Sequence, residues 1–163
     1  MPIVSTRIDD RLIHGQVASS WLGFVGAPQI ICVSDNAAAN PVQGQVLKMA
    51  APGYTVHLFS VDKFIDVFSK NPIKKDTFLL TDSTYSVLRM VESGVPIKEV
   101  NFGGMRKRAE RTIQYEPYLH FTEEEFAAID KLFAMGVQVN YQVAAYDSPK
   151  DIRKYIAELK GNG

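Results

Sequence analysis

The stretch RIDDRLIHGQV, residues 7–17, gathers two arginines, two aspartates and one histidine beside a glycine. Such a set suits nucleophilic chemistry at His14: a ring nitrogen attacks phosphorus, while Arg11 and loop amides stabilise charge on the phosphoryl oxygens. Arg11 lies three residues before His14 and can donate to phosphate in a forked geometry. Asp10 or Asp9 would fix one imidazole tautomer or hold Arg11, and Gly15 lets the backbone approach a bound group closely. Arg7 faces either the site or the adjoining surface. No metal is needed for this chemistry. The alternative, a loop histidine among surface ion pairs each worth roughly 0–1 kcal/mol, stays open on composition alone.

These residues need a scaffold. Short β-rich runs alternate with helical patterns along the chain, without an internal repeat, a low-complexity tract or an interdomain linker. Strands are expected in PIVSTRI, QIICVS, TVHLFS, DTFLLT, EVNFG and QVNYQVA. Helices are expected in GQVASSWLGFVG, NPVQGQVLKMAA, VDKFIDVFSK, TYSVLRMVESG, TEEEFAAIDKLFAMG and SPKDIRKYIAELKG. Thr122 with Glu125 reads as a capping box, Asn40–Pro41 as a helix start, and Gly94 and Gly136 as helix stops. The alternation predicts an α/β fold: a mainly parallel sheet between helices on both faces, a three-layer α/β/α arrangement. TIQYEPYLHF, residues 112–121, breaks the rhythm and reads as a hairpin or antiparallel excursion. In such folds ligands collect at the carboxyl ends of the strands. The segment Asp9–Gly15 belongs at that edge, with His14 at a helix N-terminus whose open N–H groups attract anions.

Composition narrows the function classes. The 163 residues suit one domain spanning 1–163, and 46% hydrophobic content supplies a core. Lys and Arg number 18 against 18 Asp and Glu, which gives no net field for nucleic acid or anionic lipid. Zinc-site, P-loop and dinucleotide-binding motifs are all missing. The lone Cys32 reads as a small buried hydrophobe in a reducing compartment. No signal peptide or membrane span is expected.

The stretch RIDDRLIHGQV resembles the active-site signature of the enzyme IIB components of the mannose-family sugar phosphotransferase system. Likeness continues through SDNAAANPVQGQVLKMAAP, ESGVPIKEVNFGGM and KLFAMGVQVNYQVAA, so it covers nearly the whole chain. The resemblance implies a protein-histidine:sugar phosphotransferase. His14 would accept phosphate at Nδ1 from a phosphorylated IIA protein or domain, then pass it to a sugar taken up through the membrane components IIC and IID. Arg11, Gly15 and Gln16 would bind the phosphoryl group, and Asp10 would complete the catalytic set by organising the loop. No cofactor or metal is implied. A cytoplasmic location, peripheral to the membrane through IIC and IID, follows, and a homodimer is compatible with it. A regulatory or metabolite-binding α/β protein is the alternative.

Other residues carry weaker expectations. Ser34 and Asp35 end the second strand and either line the site or form a strand-to-helix turn. Gly103 and Gly104 either bring backbone toward the active loop or allow a tight turn. Arg106, Lys107, Arg108 and Arg111 would dock an acidic partner face, guide a sugar phosphate, or lie in a solvated loop. His57 is expected buried or on an edge strand, His120 just before a helix, and Trp21 in helix-core packing.

Overall fold

The computed structural model describes residues 2–15, 17–116, 119–152 and 154. Gln16, and all but the start of the expected final helix, lie outside the described residues.

The chain opens with β1 (Ile3–Asp9), a π-helical turn over Val17–Trp21 and α1 (Leu22–Val25). Next come β2 (Gln29–Val33), α2 (Asp35–Ala38), α3 (Gln43–Ala50), β3 (Thr55–Phe59) and α4 (Val61–Lys70). β4 (Thr77–Thr81), α5 (Thr84–Glu92) and β5 (Glu99–Gly104) complete the alternation. A hairpin of β6 (Ile113–Glu116) and β7 (Leu119–Phe121) precedes α6 (Glu123–Ala134), β8 (Gln138–Tyr141) and β9 (Lys150–Asp151).

Among the described residues the main sheet has seven strands in the order β3-β2-β4-β1-β5-β8-β9, with only β9 antiparallel to its neighbour. β6 and β7 form a separate antiparallel pair, as the break in rhythm over residues 112–121 predicts. β4 is buried at every residue between β2 and β1, which explains its unbroken apolar run.

Strand parity explains the layers. Ile30, Cys32, Phe78 and Leu80 enter one apolar cluster with Val17, Trp21, Leu22 and Leu47. Their neighbours Ile31, Val33 and Leu79 enter another with Phe64, Val87, Leu88, Ile129 and Leu132. Successive strand residues point to opposite faces, so β2 and β4 each feed both clusters and helices must cover both sides.

Serine or threonine starts several helices. Ser34 accepts from the Ala37 N–H, Ser60 from Lys63, Ser83 from Ser86 and Thr122 from Glu125, each cap worth about 1 kcal/mol. The Thr122–Glu125 capping box is complete. Asn40 acts one turn early: its Oδ1 accepts from the Val42 N–H at 3.0 Å, and α3 begins at Gln43. Gly94 and Gly136 take the positive φ that ends a helix, 93° and 82°. Cys32 is fully buried, and that burial pushes its thiol up to about 12. Among the described residues no helix is long and apolar enough to cross a membrane.

Candidate active site

Four adjacent strands, β2, β4, β1 and β5, end along one edge of the sheet. β1 delivers the motif there. Arg7 and Asp9 are two residues apart and share a strand face, while Ile8 turns into the core on the other. The Leu12 N–H donates to the Asp9 carbonyl at 3.0 Å, closing a tight turn in which Leu12 takes φ 57°. A left-handed leucine costs roughly 1–2 kcal/mol. Leu12 and Ile13 are nevertheless buried with Val17 and Trp21, which offsets that cost and leaves Arg11 half exposed.

Asp9 is the hub. Its carboxylate is 1% exposed and lies 3.0 Å from His14 Nε2 through Oδ2. Oδ1 accepts the Arg11 backbone N–H at 3.1 Å, and the Arg11 Nε lies 3.7 Å away. Arg7 Nη2 approaches Oδ2 at 3.5 Å. Burial alone would raise the Asp9 carboxyl, but the hydrogen bond and charge of His14, the Arg11 amide and Arg7 outweigh it and hold Asp9 below the usual carboxylate value. An ionised carboxylate only accepts, so Nε2 carries the hydrogen and a neutral ring keeps its lone pair on Nδ1. His14 itself remains 13% exposed.

Asp10 does not join the imidazole. It lies beyond the strand, is 2% exposed, and accepts Arg111 through both oxygens at 2.8 and 2.9 Å and the Arg106 N–H at 2.6 Å. Of the two aspartates that could fix the imidazole, Asp9 is therefore the one beside His14, while Asp10 ties the loop to Arg111 and Arg106. The parity of β1 was the available signal, because Asp9 shares a strand face with Arg7 and Asp10 begins the loop.

Arg7 is fully buried rather than facing the site mouth. Its guanidinium donates to the Gln142 and Val143 carbonyls at 2.7 and 2.8 Å and lies 4.4 Å from the centre of the Trp21 ring. Burial pulls it down to about 10, so it stays cationic at neutral pH. The Trp21 indole N–H donates to the same Val143 carbonyl at 2.9 Å, which fixes Trp21 in the core. Gly103 exists for this arginine: a Cβ there would fall 2.0 Å from the Arg7 Cζ. A Cβ at Gly104 would sit 3.4 Å from both Asp9 oxygens, and its carbonyl accepts the Asp10 N–H at 2.9 Å. Neither glycine serves a turn: both end β5, and neither has positive φ. Among the described residues outside its own chain segment, a Cβ built on Gly15 would meet no atom within 4 Å, so that side of the backbone beside the histidine is open.

Ser34 and Asp35 divide. Ser34 lines a cleft of about 240 Å³ with Asp10, Arg11, Asn36, Gln43, Asp82 and Arg108. β4 separates β2 from β1, and the residue just past its end, Asp82, accepts the Ser34 hydroxyl at 2.6 Å. Burial raises the Asp82 carboxyl, against the Ser34 bond that lowers it. Asp35 lines the adjoining cleft, which shares Asn36, Asp82 and Arg108 with the first, and accepts the Val61 N–H at the start of α4 at 2.9 Å. His57 is exposed on the edge strand β3, and His120 is buried with Nδ1 3.2 Å from the Met105 carbonyl. Among the described residues, no three His, Cys, Asp or Glu side chains gather as metal ligands do.

Comparison with known proteins fits this arrangement. The family model for the phosphotransferase system (PTS) sorbose subfamily IIB component matches residues 3–162. The chain belongs to that family. It is 32% identical over 163 residues to a sorbose-specific EIIB component of Lacticaseibacillus casei, covering 99% of each chain. It is 37% identical over 162 residues to the mannose-specific EIIAB component of Escherichia coli K12, covering 98% of this chain and 50% of that one. The chain thus spans about half the length of the mannose-specific relatives it matches. The crystal structure of the IIB domain of the Klebsiella pneumoniae sorbose permease superposes with TM-score 0.89 at 34% identity, covering 97% of this chain and 98% of that one. The mainly parallel sheet flanked by helices is thus the fold of a solved IIB domain.

Proposed function

We propose that this IIB chain acts as one domain that carries a phosphoryl group on Nδ1 of His14. The observation that carries the reading is the 3.0 Å contact between His14 Nε2 and the buried, ionised Asp9. It keeps the hydrogen on Nε2 and aims the chemistry at the other nitrogen.

In the accepting step, the Nδ1 lone pair forms a bond to phosphorus while the bond from phosphorus to a donor phosphohistidine breaks, returning its electron pair to the donor ring. In the giving step, a sugar hydroxyl oxygen attacks the same phosphorus. The P–Nδ1 bond breaks, its electrons return to the ring, and the hydroxyl proton passes to solvent. Arg11, half exposed beside Asp9, neutralises phosphoryl charge, and the Cβ side of Gly15 leaves room for the group beside the ring. Asp9 stabilises the positive ring character that develops as the P–N bond forms, which makes the chain a protein-histidine:sugar phosphotransferase.

The partners are a phosphorylated IIA protein or domain and the membrane components IIC and IID, with the chain cytoplasmic and docked to the membrane through them. A protein donor needs a surface around the histidine. Half-exposed Arg11, Arg106 and Arg108 stand at this end of the sheet. α3, whose Gln43 lines the cleft with Arg11, turns Val46 and Met49 outward together with Val42 just before it. An apolar patch beside cations suits a protein face carrying a dianionic phosphohistidine.

The test is intact mass after incubation with phosphoenolpyruvate, the general phosphotransferase proteins and a mannose-family IIA donor. The wild type gains the mass of one acid-labile phosphoryl group and His14→Ala gains none. Equal gain in both would assign the phosphate to another residue and overturn the reading.

A further inference from the structure

Arg111 belongs to a basic run that reads as a solvated loop, yet its side chain is only 4% exposed. It bridges two carboxylates. Nη1 and Nη2 donate to Asp10 at 2.8 and 2.9 Å, while Nε and Nη2 donate to Glu125 at 3.1 and 3.0 Å. Nη1 also donates to the Arg106 carbonyl at 3.0 Å. Glu125 is itself immobilised, because Oε1 accepts the Thr122 N–H at 2.9 Å in the capping box of α6. The start of α6 is thereby cross-linked to the first residue after β1.

We infer that Arg111 is a positioning residue for the reaction at His14, acting through Asp10 on the loop where Asp9 holds the imidazole. This rests on the reading of His14 as phosphoryl acceptor. Asp10 is pinned at both ends, its N–H to the Gly104 carbonyl and its carboxylate to Arg111 and the Arg106 N–H. It immediately follows Asp9 and stands two residues before Leu12, whose φ of 57° needs surroundings that enforce it. The other cations near Asp10, Arg106 Nε at 3.7 Å and Arg108 at 3.8 Å, are half exposed and too distant for a hydrogen bond. Without Arg111, two nearly buried carboxylates lose their shared countercharge, and the turn that places Asp9 against His14 loses its anchor. A displacement of about 1 Å at a reacting group can cost roughly a hundredfold in rate.

The experiment pairs two readouts on Arg111→Met, Arg111→Lys, Asp10→Asn and the Asp10→Asn/Arg111→Met double variant. The first is the rate of His14 phosphorylation by a phosphorylated IIA donor. The second is the His14 tautomer, read from the ring nitrogen shifts in unphosphorylated protein. Expected for Arg111→Met is labelling slower by about tenfold or more together with loss of the pure Nε2–H tautomer. Arg111→Lys recovers part of both, since one ammonium cannot fork to two carboxylates. The double variant is no slower than Arg111→Met, because the two residues act as a unit. If Arg111→Met fails to fold by circular dichroism, Arg111→Lys and Asp10→Asn carry the same comparison. Unchanged rate and tautomer in folded variants overturn the inference. Slow labelling with an unchanged tautomer also overturns it, and places Arg111 at the donor interface instead. A wild-type chain that takes no label refutes the proposed function. In that event the tautomer readout still decides whether Arg111 holds the imidazole.

Discussion

Replacing Asp9 by Asn keeps the shape of the hub and removes its charge. Two orientations are open to the amide, and both fail. With its oxygen toward His14 Nε2, the NH2 group meets the Arg11 backbone N–H and Nε, donor against donor. With NH2 toward Nε2, it meets Arg7 Nη2 and drives the imidazole hydrogen onto Nδ1, the nitrogen proposed to attack phosphorus. Either way a hydrogen bond to a charged group is lost where the ring becomes positive, worth about 1.5–3 kcal/mol. At roughly 1.4 kcal/mol per decade, phosphorylation slows by about 10- to 150-fold. Rapid-quench measurement of phosphoprotein formation at saturating donor reads this directly. A folded Asp9→Asn variant within twofold of wild type would refute the reasoning, as would an effect smaller than that of Asp10→Asn.

The same carboxylate makes stability pH-dependent. Asp9 is held below the usual value, so the unfolded chain binds more protons there. Its stabilisation is complete above about pH 4 and drains away as pH falls through the native value. Urea unfolding from pH 7 to 3 should show a shallower acid decline for Asp9→Asn than for wild type, and parallel curves would contradict it. Gly103→Ala drives a methyl group into an arginine pinned by two carbonyls and an indole ring. It should lose at least about 2 kcal/mol in the same assay, and a loss under about 0.5 kcal/mol would show that Arg7 can move aside. Val46→Asp and Met49→Asp should raise KM for the phosphorylated IIA donor with kcat unchanged, measured by initial labelling rates. An unchanged KM in both would remove the exposed side of α3 from the docking surface.

Local features of the chain foreshadow much of this architecture. Continuous apolar runs such as TFLLT belong to strands buried on both faces, and the serine and threonine caps mark helix starts, so most elements begin and end within a residue or two of expectation. The two-residue β9 carries no periodicity to read. His14 and Arg11 stand out because their spacing lies within one loop. Asp9 is legible as one of two aspartates able to hold the imidazole, with the parity of β1 selecting it, whereas Gly103 and Arg111 acquire their roles from partners that only the fold brings near. Arg7 dictates a glycine on the neighbouring strand. Arg111 becomes buried because two carboxylates distant in sequence converge on it, where a run of cations by itself reads as surface. Asp82 enters the cleft because β4 inserts between β1 and β2, an order the sequence pattern does not specify.

In the proposed function, Asp9 reserves Nε2 and leaves Nδ1 of His14 to carry phosphate. Long-range proton–nitrogen correlation on histidine-labelled protein, before and after phosphorylation, tests it most directly. Expected are an Nε2–H tautomer for free His14 and a phosphorus-coupled Nδ1 in the phosphoprotein. Phosphate on Nε2, or on another histidine, would contradict it.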